Sequence, residues 1–349
     1  MKKLLPSYAN KLLCLVDTTK PDPLFSLVDY RNNYFTSDDP NKIIEFYNGF
    51  EDRDQLVLWM KERPKGVATV HEVEGDKEII VVIPTVDFNG KYARECRENI
   101  FKGLHIVFVE SGGREDFYFN YAHNCNIGIK KAMGYNPKWI VTSGDDIHKI
   151  DDVELLRKQV ETIDMEQVDV LYCIPSYGYH STPVKLIFPN RAGMFIYTRR
   201  MFKDQYNSIS SLIKKLKLNL IFTPIDTSNG ESPKITKKNW IGINILTKFL
   251  FHHTRIRFVQ LGAFGIFSRN FVFKTGGIVY DENFINSCED MGLSFRILKE
   301  ARFTAKIRYN IKPMVGTTIG NNMNRDLRAI ISRFYLYSIV SRDLNVRGK

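Results

Sequence analysis

Two adjacent carboxylates, Asp145 and Asp146, are the residues whose type and spacing most directly suggest chemistry. They follow the apolar run Trp139-Ile140-Val141-Thr142, with Ser143 and Gly144 between. A hard divalent cation such as Mg²⁺ or Mn²⁺ binds carboxylate oxygens together with substrate phosphates, and needs only one or two protein carboxylates. The pair therefore indicates a metal and nucleotide site, although Asp is also common in surface turns and helix caps.

Two more residues that could bind a ligand follow apolar runs in the same way. Thr85 comes after Ile79–Ile83 and Pro84, and Glu110 comes directly after Ile106–Val109. The Ser-Gly-Gly that follows Glu110 lets backbone approach a ligand closely. The Glu110 carboxylate could accept hydrogen bonds from a nucleobase or a ribose hydroxyl, or it could be an exposed turn residue.

A second acidic pair, Glu289-Asp290, stands at the start of a predicted helix. Acidic residues in a first helical turn are favoured by the helix dipole for structural reasons alone. The functional alternative makes Asp290 a general base that removes a proton from an attacking hydroxyl group. The neighbouring stretch from Gly276 to Phe284 would then shape the acceptor side of a site.

The elements around these residues alternate between strand and helix. Continuous β-branched runs predict buried strands, and amphipathic stretches separate them. The predicted strands are 79–83, 106–109, 139–142 and 168–174, and the predicted helices are 92–101, 117–133 and 153–163. This alternation is typical of a doubly wound parallel sheet, in which ligands bind beyond the carboxyl ends of the strands. Thr85, Glu110 and Asp145 all lie at such ends.

The rest of the chain is less regular. Amphipathic helices are expected between Ile43 and Trp59, ending near Pro64. After a long irregular segment, further elements are expected at 261–267, 293–301, 303–311 and 327–340.

The formal charge of +11 favours anionic partners. Residues 181–258 contain fourteen Lys and Arg against three Asp and Glu, interleaved with aromatic residues. Such a segment could lie on an anionic membrane surface or could be a solvated basic face. The choice stays open at this stage.

The cysteines and the hydropathy pattern bear on location. Five scattered cysteines without a CxxC spacing argue against a disulfide framework and a zinc knuckle, and favour a cytoplasmic protein. Polar residues from Asp17 to Asp22 follow the basic start too soon for a cleaved signal peptide. No uninterrupted apolar run reaches about eighteen residues, so no membrane-spanning segment is expected. We therefore expect a cytoplasmic protein, with peripheral binding to the inner membrane face as the alternative that the basic segment leaves open.

Five of these motifs, in this order, resemble the family-two-type GT-A glycosyltransferases. The matching segments are Ile79-Ile80-Val81-Val82-Ile83-Pro84-Thr85, Val109-Glu110-Ser111-Gly112-Gly113, Cys125-Asn126-Ile127-Gly128-Ile129, Gly144-Asp145-Asp146, and Gly276-Gly277 through Glu289-Asp290. The resemblance covers roughly 78–175 and 260–300. Three departures stand out: Gly144 replaces the first Asp of the DXD motif, Cys125 stands where Arg is usual, and the stretch from Gly277 to Asp281 is longer.

The resemblance implies an α/β fold of the GT-A, Rossmann-like type, with a mostly parallel central sheet flanked by helices. The expected organisation is an N-terminal extension (1–75), a catalytic domain (76–320), and a C-terminal helix with a basic tail (321–349). The catalytic domain would comprise a nucleotide-binding half (76–180), a basic aromatic insertion (181–258) and an acceptor-side half (259–320).

The resemblance also implies an activity, inverting transfer of a sugar from a nucleotide-diphosphate donor to an acceptor hydroxyl. The donor would be a UDP-sugar, the cofactor Mg²⁺ or Mn²⁺, and the acceptor a glycan, a lipid-linked molecule or a protein. The implied residues are Asp290 and Glu289 for catalysis, Asp146 for the metal, and Pro84, Thr85, Glu110, Asn126 and Asp145 for the nucleotide sugar.

Three alternatives remain open. A nucleotidyltransferase of related fold would carry a Gly-rich loop with Arg or Lys after the first strand, which Val86-Asp87-Phe88-Asn89-Gly90 is not. A nucleic-acid-binding protein would show a recognisable binding module, and none is present, so we expect no nucleic-acid partner. A non-catalytic homologue that only binds nucleotide sugars has the same motifs.

Overall fold

The computed structural model describes 27–50, 53–112, 118–173, 261 and 264–313, together with four short strands between 184 and 256 and a few helical residues between 328 and 339. The chain divides into two compact units. One comprises 64–182 and 257–320, and the other comprises 1–63, 183–256 and 321–349. The first unit contains the central sheet and every residue implicated in chemistry by the sequence.

The helices are α1 Leu27–Thr36, α2 Pro40–Asn48, α3 Arg53–Glu62, α4 Lys91–Glu95 (continued by a π-helical turn, Cys96–Ile100), α5 Tyr121–Met133, α6 Val153–Glu161, α7 Arg269–Lys274 and α8 Glu289–Glu300. The strands are β1 Thr69–Val73, β2 Asp76–Thr85, β3 Leu104–Glu110, β4 Trp139–Ser143, β5 Ile147–Lys149, β6 Val170–Cys173, β7 Val184–Phe188, β8 Gly193–Phe195, β9 Ile225–Asp226, β10 His252–Ile256, β11 Phe264–Ser268, β12 Thr304–Ile307 and β13 Ile311–Pro313.

Seven strands form the central sheet in the order β1-β3-β2-β4-β11-β6-β12. Strands β3, β2 and β4 are parallel, as are β6 and β12, whereas β1 and β11 run antiparallel to their neighbours. The protein is therefore an α/β protein with a mixed, mostly parallel central sheet, as the sequence predicted at the level of fold class.

The strands at the centre of this sheet are buried on both faces because helices cover both. On one face, alternate residues of β2 (Ile79, Val81, Ile83) share a core with α4, its π-helical turn and α6. On the other face, Ile80 and Val82 share a core with α5, α7 and α8. This two-sided cover explains why β2 reads as a continuous β-branched run rather than as an alternating one.

A topological switch point lies between β2 and β4. The chain leaves β2 toward β3 on one side, then crosses back through α5 to β4 on the other side. Pairing of β2 with β4 ends at Val82↔Thr142, whereas pairing with β3 continues to Thr85↔Glu110. Pro84, which has no N–H to donate, lies where β2 has already separated from β4. Open α/β sheets bind ligands at such a point, outside the carboxyl ends of the strands.

Strand β1 extends the sheet into the predicted N-terminal extension. It pairs with β3, and the sheet-containing unit consequently begins at Pro64 rather than at 76. On the insertion side, the unit boundaries fall after 182 and after 256.

The second unit contains α1, α2 and α3, whose aromatic side chains pack together. Phe35, Phe46 and Trp59 are each at least 96% buried, and ring centroids of Phe46 and Trp59 lie 4.8 Å apart. Strands β10-β7-β8-β9 form a small antiparallel sheet within the predicted basic insertion. Of the predicted helix 327–340, seven residues are described and all are helical.

The predictions about the start of the chain and about 314–327 lie outside the described residues. Among the helices that are described, none combines the length and the apolar character needed to cross a bilayer.

Candidate functional site

A hydrogen bond joins the two sides of the switch point. The Thr85 hydroxyl, at the end of β2, donates to Oδ2 of Asp145, beyond the end of β4, at 2.7 Å. The two residues are 60 positions apart in the chain and both are buried. Strands β2 and β4 no longer pair through their backbones at this point. The side-chain hydrogen bond connects them instead.

Burial changes the acid–base behaviour of Asp145. Its side chain is 6% exposed, and this desolvation raises the pKa from 3.8 to about 6. The Thr85 hydrogen bond lowers the pKa, and the negative charge of the adjacent Asp146 raises it. The Asp145 carboxyl thus belongs to a site where additional positive charge would relieve an electrostatic penalty.

The residues before and after Asp146 in the sequence fix the position of its backbone. Asp145 and the buried end of β4 precede it, and Ile147, fully buried, follows it as the first residue of β5. Strand β5 is itself fixed by antiparallel pairing with β13. The side chain of Asp146 is half-buried, so it is more accessible than that of Asp145.

Glu110 lies next to Thr85, with which it pairs in register across β3 and β2. Its Oε2 hydrogen-bonds with Nε2 of His71 at 2.6 Å, and its Oε1 accepts the backbone N–H of Phe88 at 3.2 Å. The His71 and Phe88 rings stack, with centroids 4.4 Å apart and planes within 8°. Glu110 is therefore an oriented carboxylate, about one-third exposed, rather than a freely solvated turn residue.

Two residues of α5, Asn126 and Cys125, are held within the protein. The Asn126 side chain donates to the Tyr280 carbonyl at 2.8 Å and accepts the Tyr280 N–H at 3.0 Å, so the amide predicted to bind the donor binds protein backbone. Cys125, which stands where the family has Arg, is fully buried in the core. Burial raises the pKa of its thiol.

The second acidic pair begins α8. Oδ1 of Asp290 accepts the N–H of Met291 at 2.8 Å, and the Asp290 carbonyl accepts the Ser294 hydroxyl at 2.7 Å. The residue before the pair, Cys288, has a left-handed backbone with φ of 64°. Both acidic side chains are half-buried. Burial raises the pKa of the Tyr280 phenol, and the negative charges of Glu289 and Asp290 contribute in the same direction.

The predicted site residues thus form two groups. Pro84, Thr85, Glu110, Asp145 and Asp146 meet at the carboxyl edge of the sheet, and Asn126 bonds the Tyr280 backbone on the segment that leads to Glu289 and Asp290. The Tyr280 hydroxyl hydrogen-bonds with Oγ1 of Thr142 on β4 at 2.8 Å, which connects the second group to the strand that leads to Asp145.

Sequence reasoning missed His71, Phe88 and Tyr280 as parts of this site. A short β-branched stretch, Thr69-Val70-His71-Glu72-Val73, was the available signal for β1, but nothing local indicates that it pairs with β3 beside Glu110. His123, on α5, hydrogen-bonds through Nδ1 with Oε2 of Glu282.

The residues at the edge fit a divalent cation that arrives with a phosphate. Among the described residues there is no group of three or more His, Cys, Asp or Glu side chains arranged to hold a metal ion. Mg²⁺ is nevertheless commonly bound through one or two carboxylates plus substrate phosphates. An accessible Asp146 beside a buried Asp145, whose ionisation burial disfavours, meets that description.

Two surface cavities lie away from this edge. One, of about 530 Å³, runs along α5 beside Lys130 and Tyr135. The other, of about 240 Å³, lies at the amino ends of β2 and β4, where Arg157 pairs with Asp76 at 3.0 Å. Neither contains the residues at the carboxyl edge, so the site is assigned from topology and chemistry rather than from cavity size.

Comparisons with protein-family models, with curated proteins and with solved structures found no match to this chain.

Proposed function

We propose that the protein is an inverting glycosyltransferase of the GT-A type that transfers a sugar from a nucleotide-diphosphate donor to an acceptor hydroxyl. The observation that carries this proposal is the carboxylate arrangement at the switch point. Asp145 is bonded to Thr85 across the diverging strands, with Asp146 and Glu110 on either side. A doubly wound sheet binds nucleotides at this place.

Donor binding would divide between the two ends of this edge. Glu110, oriented by His71 and by the Phe88 N–H, would accept a hydrogen bond from the base or the ribose. Asp146, supported by Asp145, would hold Mg²⁺ or Mn²⁺ with the diphosphate, and the ion would offset charge that develops on the leaving group. A UDP-sugar is the donor that the family resemblance favours.

In the transfer step, the Asp290 carboxylate accepts the proton of the acceptor hydroxyl as the oxygen attacks the anomeric carbon. The new bond joins that carbon to the acceptor oxygen, and the bond to the diphosphate oxygen breaks, releasing the nucleoside diphosphate. Attack from the face opposite the leaving group inverts the anomeric configuration. The acceptor belongs to one of three classes: a glycan, a lipid-linked molecule or a protein.

Replacing the proposed base tests the chemical step. We expect Asp290→Asn to lower the transfer rate by a factor of about 10² to 10⁴ and to leave donor-nucleotide affinity within about twofold. Calorimetric titration with UDP and Mn²⁺ gives the affinity, and release of nucleoside diphosphate from a panel of nucleotide sugars gives the rate. Glu166→Gln, at an exposed carboxylate elsewhere, is the matched control. Normal turnover by Asp290→Asn contradicts the assignment of the base.

The metal role of Asp146 is tested separately. Asp146→Ala should abolish the increase in nucleotide affinity that Mn²⁺ causes in the wild-type protein, because it removes the accessible carboxylate. A Mn²⁺ titration that is the same for both proteins contradicts this role for Asp146. It would leave the assignment of Asp290 standing.

A further inference from the structure

Side-chain and backbone hydrogen bonds join α5, and the two residues before it, to residues 280–286, the segment that leads into Glu289 and Asp290. We call this set of contacts the α5 clamp. Glu282 is at its centre: Oε2 hydrogen-bonds with Nδ1 of His123 at 2.8 Å, and Oε1 accepts the Asn126 amide at 2.9 Å. Both partners lie on α5, so one carboxylate is held by two successive turns of the helix.

Backbone groups of the same segment are held as well. Asn126 bonds both the N–H and the carbonyl of Tyr280, and the Asn120 amide donates to the carbonyl of Glu282 at 2.7 Å. In the opposite direction, the Asn286 side chain bonds backbone groups at the start of α5: it accepts the Tyr121 N–H at 3.0 Å and donates to the Phe119 carbonyl at 2.9 Å. The segment is thus attached at its start, middle and end.

The backbone at the end of the clamp and just beyond it is strained. Asn286 and Cys288 have φ values of 50° and 64°, in the left-handed region that costs a non-glycine residue free energy. Such conformations persist when the surrounding contacts impose them, and they concentrate where a side chain must be held in a particular place. Here the strained residues directly precede Glu289-Asp290.

The clamp also connects this segment to β4, the strand that ends shortly before Asp145. Tyr280, held by Asn126, contacts Thr142 of β4, and β4 leads within three residues to Asp145. Glu282, two residues further along, contacts His123 and Asn126 of α5. The position of α8 is therefore set by α5 and β4 together.

We propose that Glu282 is a positioning residue that, with His123 and Asn126 as its partners, holds Asp290 in line with an acceptor hydroxyl. This inference rests on the proposed glycosyltransferase function. Glu282 itself touches neither donor nor acceptor, and it acts through the 280–290 backbone. Loss of the clamp should consequently reduce the rate of the chemical step without reducing donor binding.

The first measurement is independent of activity. Amide hydrogen exchange at Tyr280 and across 287–292 should become at least tenfold faster in Glu282→Ala than in the wild-type protein, because the clamp loses its central acceptor. Glu282→Gln retains one acceptor and should restore part of the protection. Unchanged exchange in Glu282→Ala overturns the proposal, whatever the protein catalyses. If Glu282→Ala does not fold, His123→Ala, which removes one of the two helix contacts, replaces it.

The second measurement separates positioning from binding. In Glu282→Ala, kcat should fall about tenfold or more while the Kd for UDP with Mn²⁺ stays within twofold, and Glu282→Gln should recover part of kcat. Equal losses in affinity and rate would make Glu282 a donor ligand and overturn the proposal, as would an unchanged kcat. If the wild-type protein transfers no sugar from any donor tested, the glycosyltransferase function fails, and hydrogen exchange alone decides whether the clamp orders α8.

Discussion

Asp145 illustrates how one buried side chain links stability to a proposed ligand. Its carboxyl is nearly enclosed and touches Thr85, yet it stands next to a second carboxylate. The folded protein therefore holds a proton on Asp145 more tightly than an unfolded chain does, with a pKa of about 6 against 3.8. Stability from this group is fully present below 3.8 and is lost as the pH rises through 6. The difference corresponds to roughly 3 kcal/mol at most.

This reasoning predicts a pH-dependent effect of Asp145→Asn in the metal-free protein. The amide keeps an acceptor for Thr85 and cannot ionise. The stability of the variant minus that of wild type should therefore increase by roughly 1–2 kcal/mol as the pH rises from 5 to 8. Thermal melts at both pH values in the presence of EDTA measure the gain as a difference of a few degrees. Glu166→Gln, at an exposed position, controls for removal of one negative charge. A difference between Asp145→Asn and wild type that is the same at both pH values would refute it.

How far the site could be predicted from sequence varies from residue to residue. Thr85, Glu110 and Asp145 were placed at one edge because they follow parallel strands, and topology brings such ends together. Asn126 was predicted to bind a ligand because the sequence does not show that its amide bonds the Tyr280 backbone, 154 positions away. Contacts of that separation depend on how α8 and its preceding loop fold back, and local periodicity carries no such information.

At the level of elements, α5 is the helix on which both halves of the proposed site depend. It packs across β2 and β3 through Gly128, where a Cβ atom would lie 2.3 Å from Cγ1 of Val82 and 3.0 Å from Cγ2 of Val109. Glycine in the middle of a helix costs about 1 kcal/mol relative to alanine. The close approach of helix and sheet is the physical reason for its presence here.

Gly128→Ala should therefore destabilise the protein despite its better helix propensity. Overpacking of a filled core costs about 1–3 kcal/mol, which corresponds to about 2–4 °C in Tm per kcal/mol for a domain of this size. Lys130→Ala, on the exposed side of the same helix, should leave Tm within about 2 °C. The measurement is a thermal melt of the three proteins, and an increase in Tm for Gly128→Ala would show that α5 does not pack closely on the sheet.

Strands were predicted with different success for physical reasons. The positions of β2, β3 and β4 follow from continuous β-branched runs, because burial on both faces selects such residues. Strands β2 and β3 extend beyond the predicted 79–83 and 106–109, to Asp76–Thr85 and Leu104–Glu110. Strand β1 carries only a half-buried pattern and lies at the sheet edge, so its five residues gave little signal. The reversed direction of β11 could not be predicted, since a buried strand has the same composition whichever way it runs.

For the molecule as a whole, the net positive charge comes from one part of the chain. The fourteen basic and three acidic residues of 181–258 account for the entire net charge of +11, and the remaining sequence contains 36 of each sign. The sheet-containing unit accordingly offers no large charge excess, so a long-range attraction to anionic partners would reside in the basic segment. A lipid-linked acceptor would make that attraction useful to the proposed reaction.

We therefore predict that the protein binds anionic vesicles through the basic segment. Replacing Lys214, Lys215 and Lys217 with Gln should lower the partition coefficient on phosphatidylserine vesicles by roughly two orders of magnitude at low salt, because each lysine near such a surface contributes about 1 kcal/mol. Gln at Lys158, Lys299 and Lys306, exposed lysines of α6, α8 and β12, makes the same change of charge elsewhere and should have little effect. Vesicle flotation measures both variants.

Binding of wild type should also weaken strongly between about 50 mM and 200 mM salt, as the screening length shortens. Failure of the wild-type protein to float with the vesicles at low salt contradicts a membrane role and favours a solvated basic face, and equal losses in the two triple variants show that the attraction is not confined to 181–258.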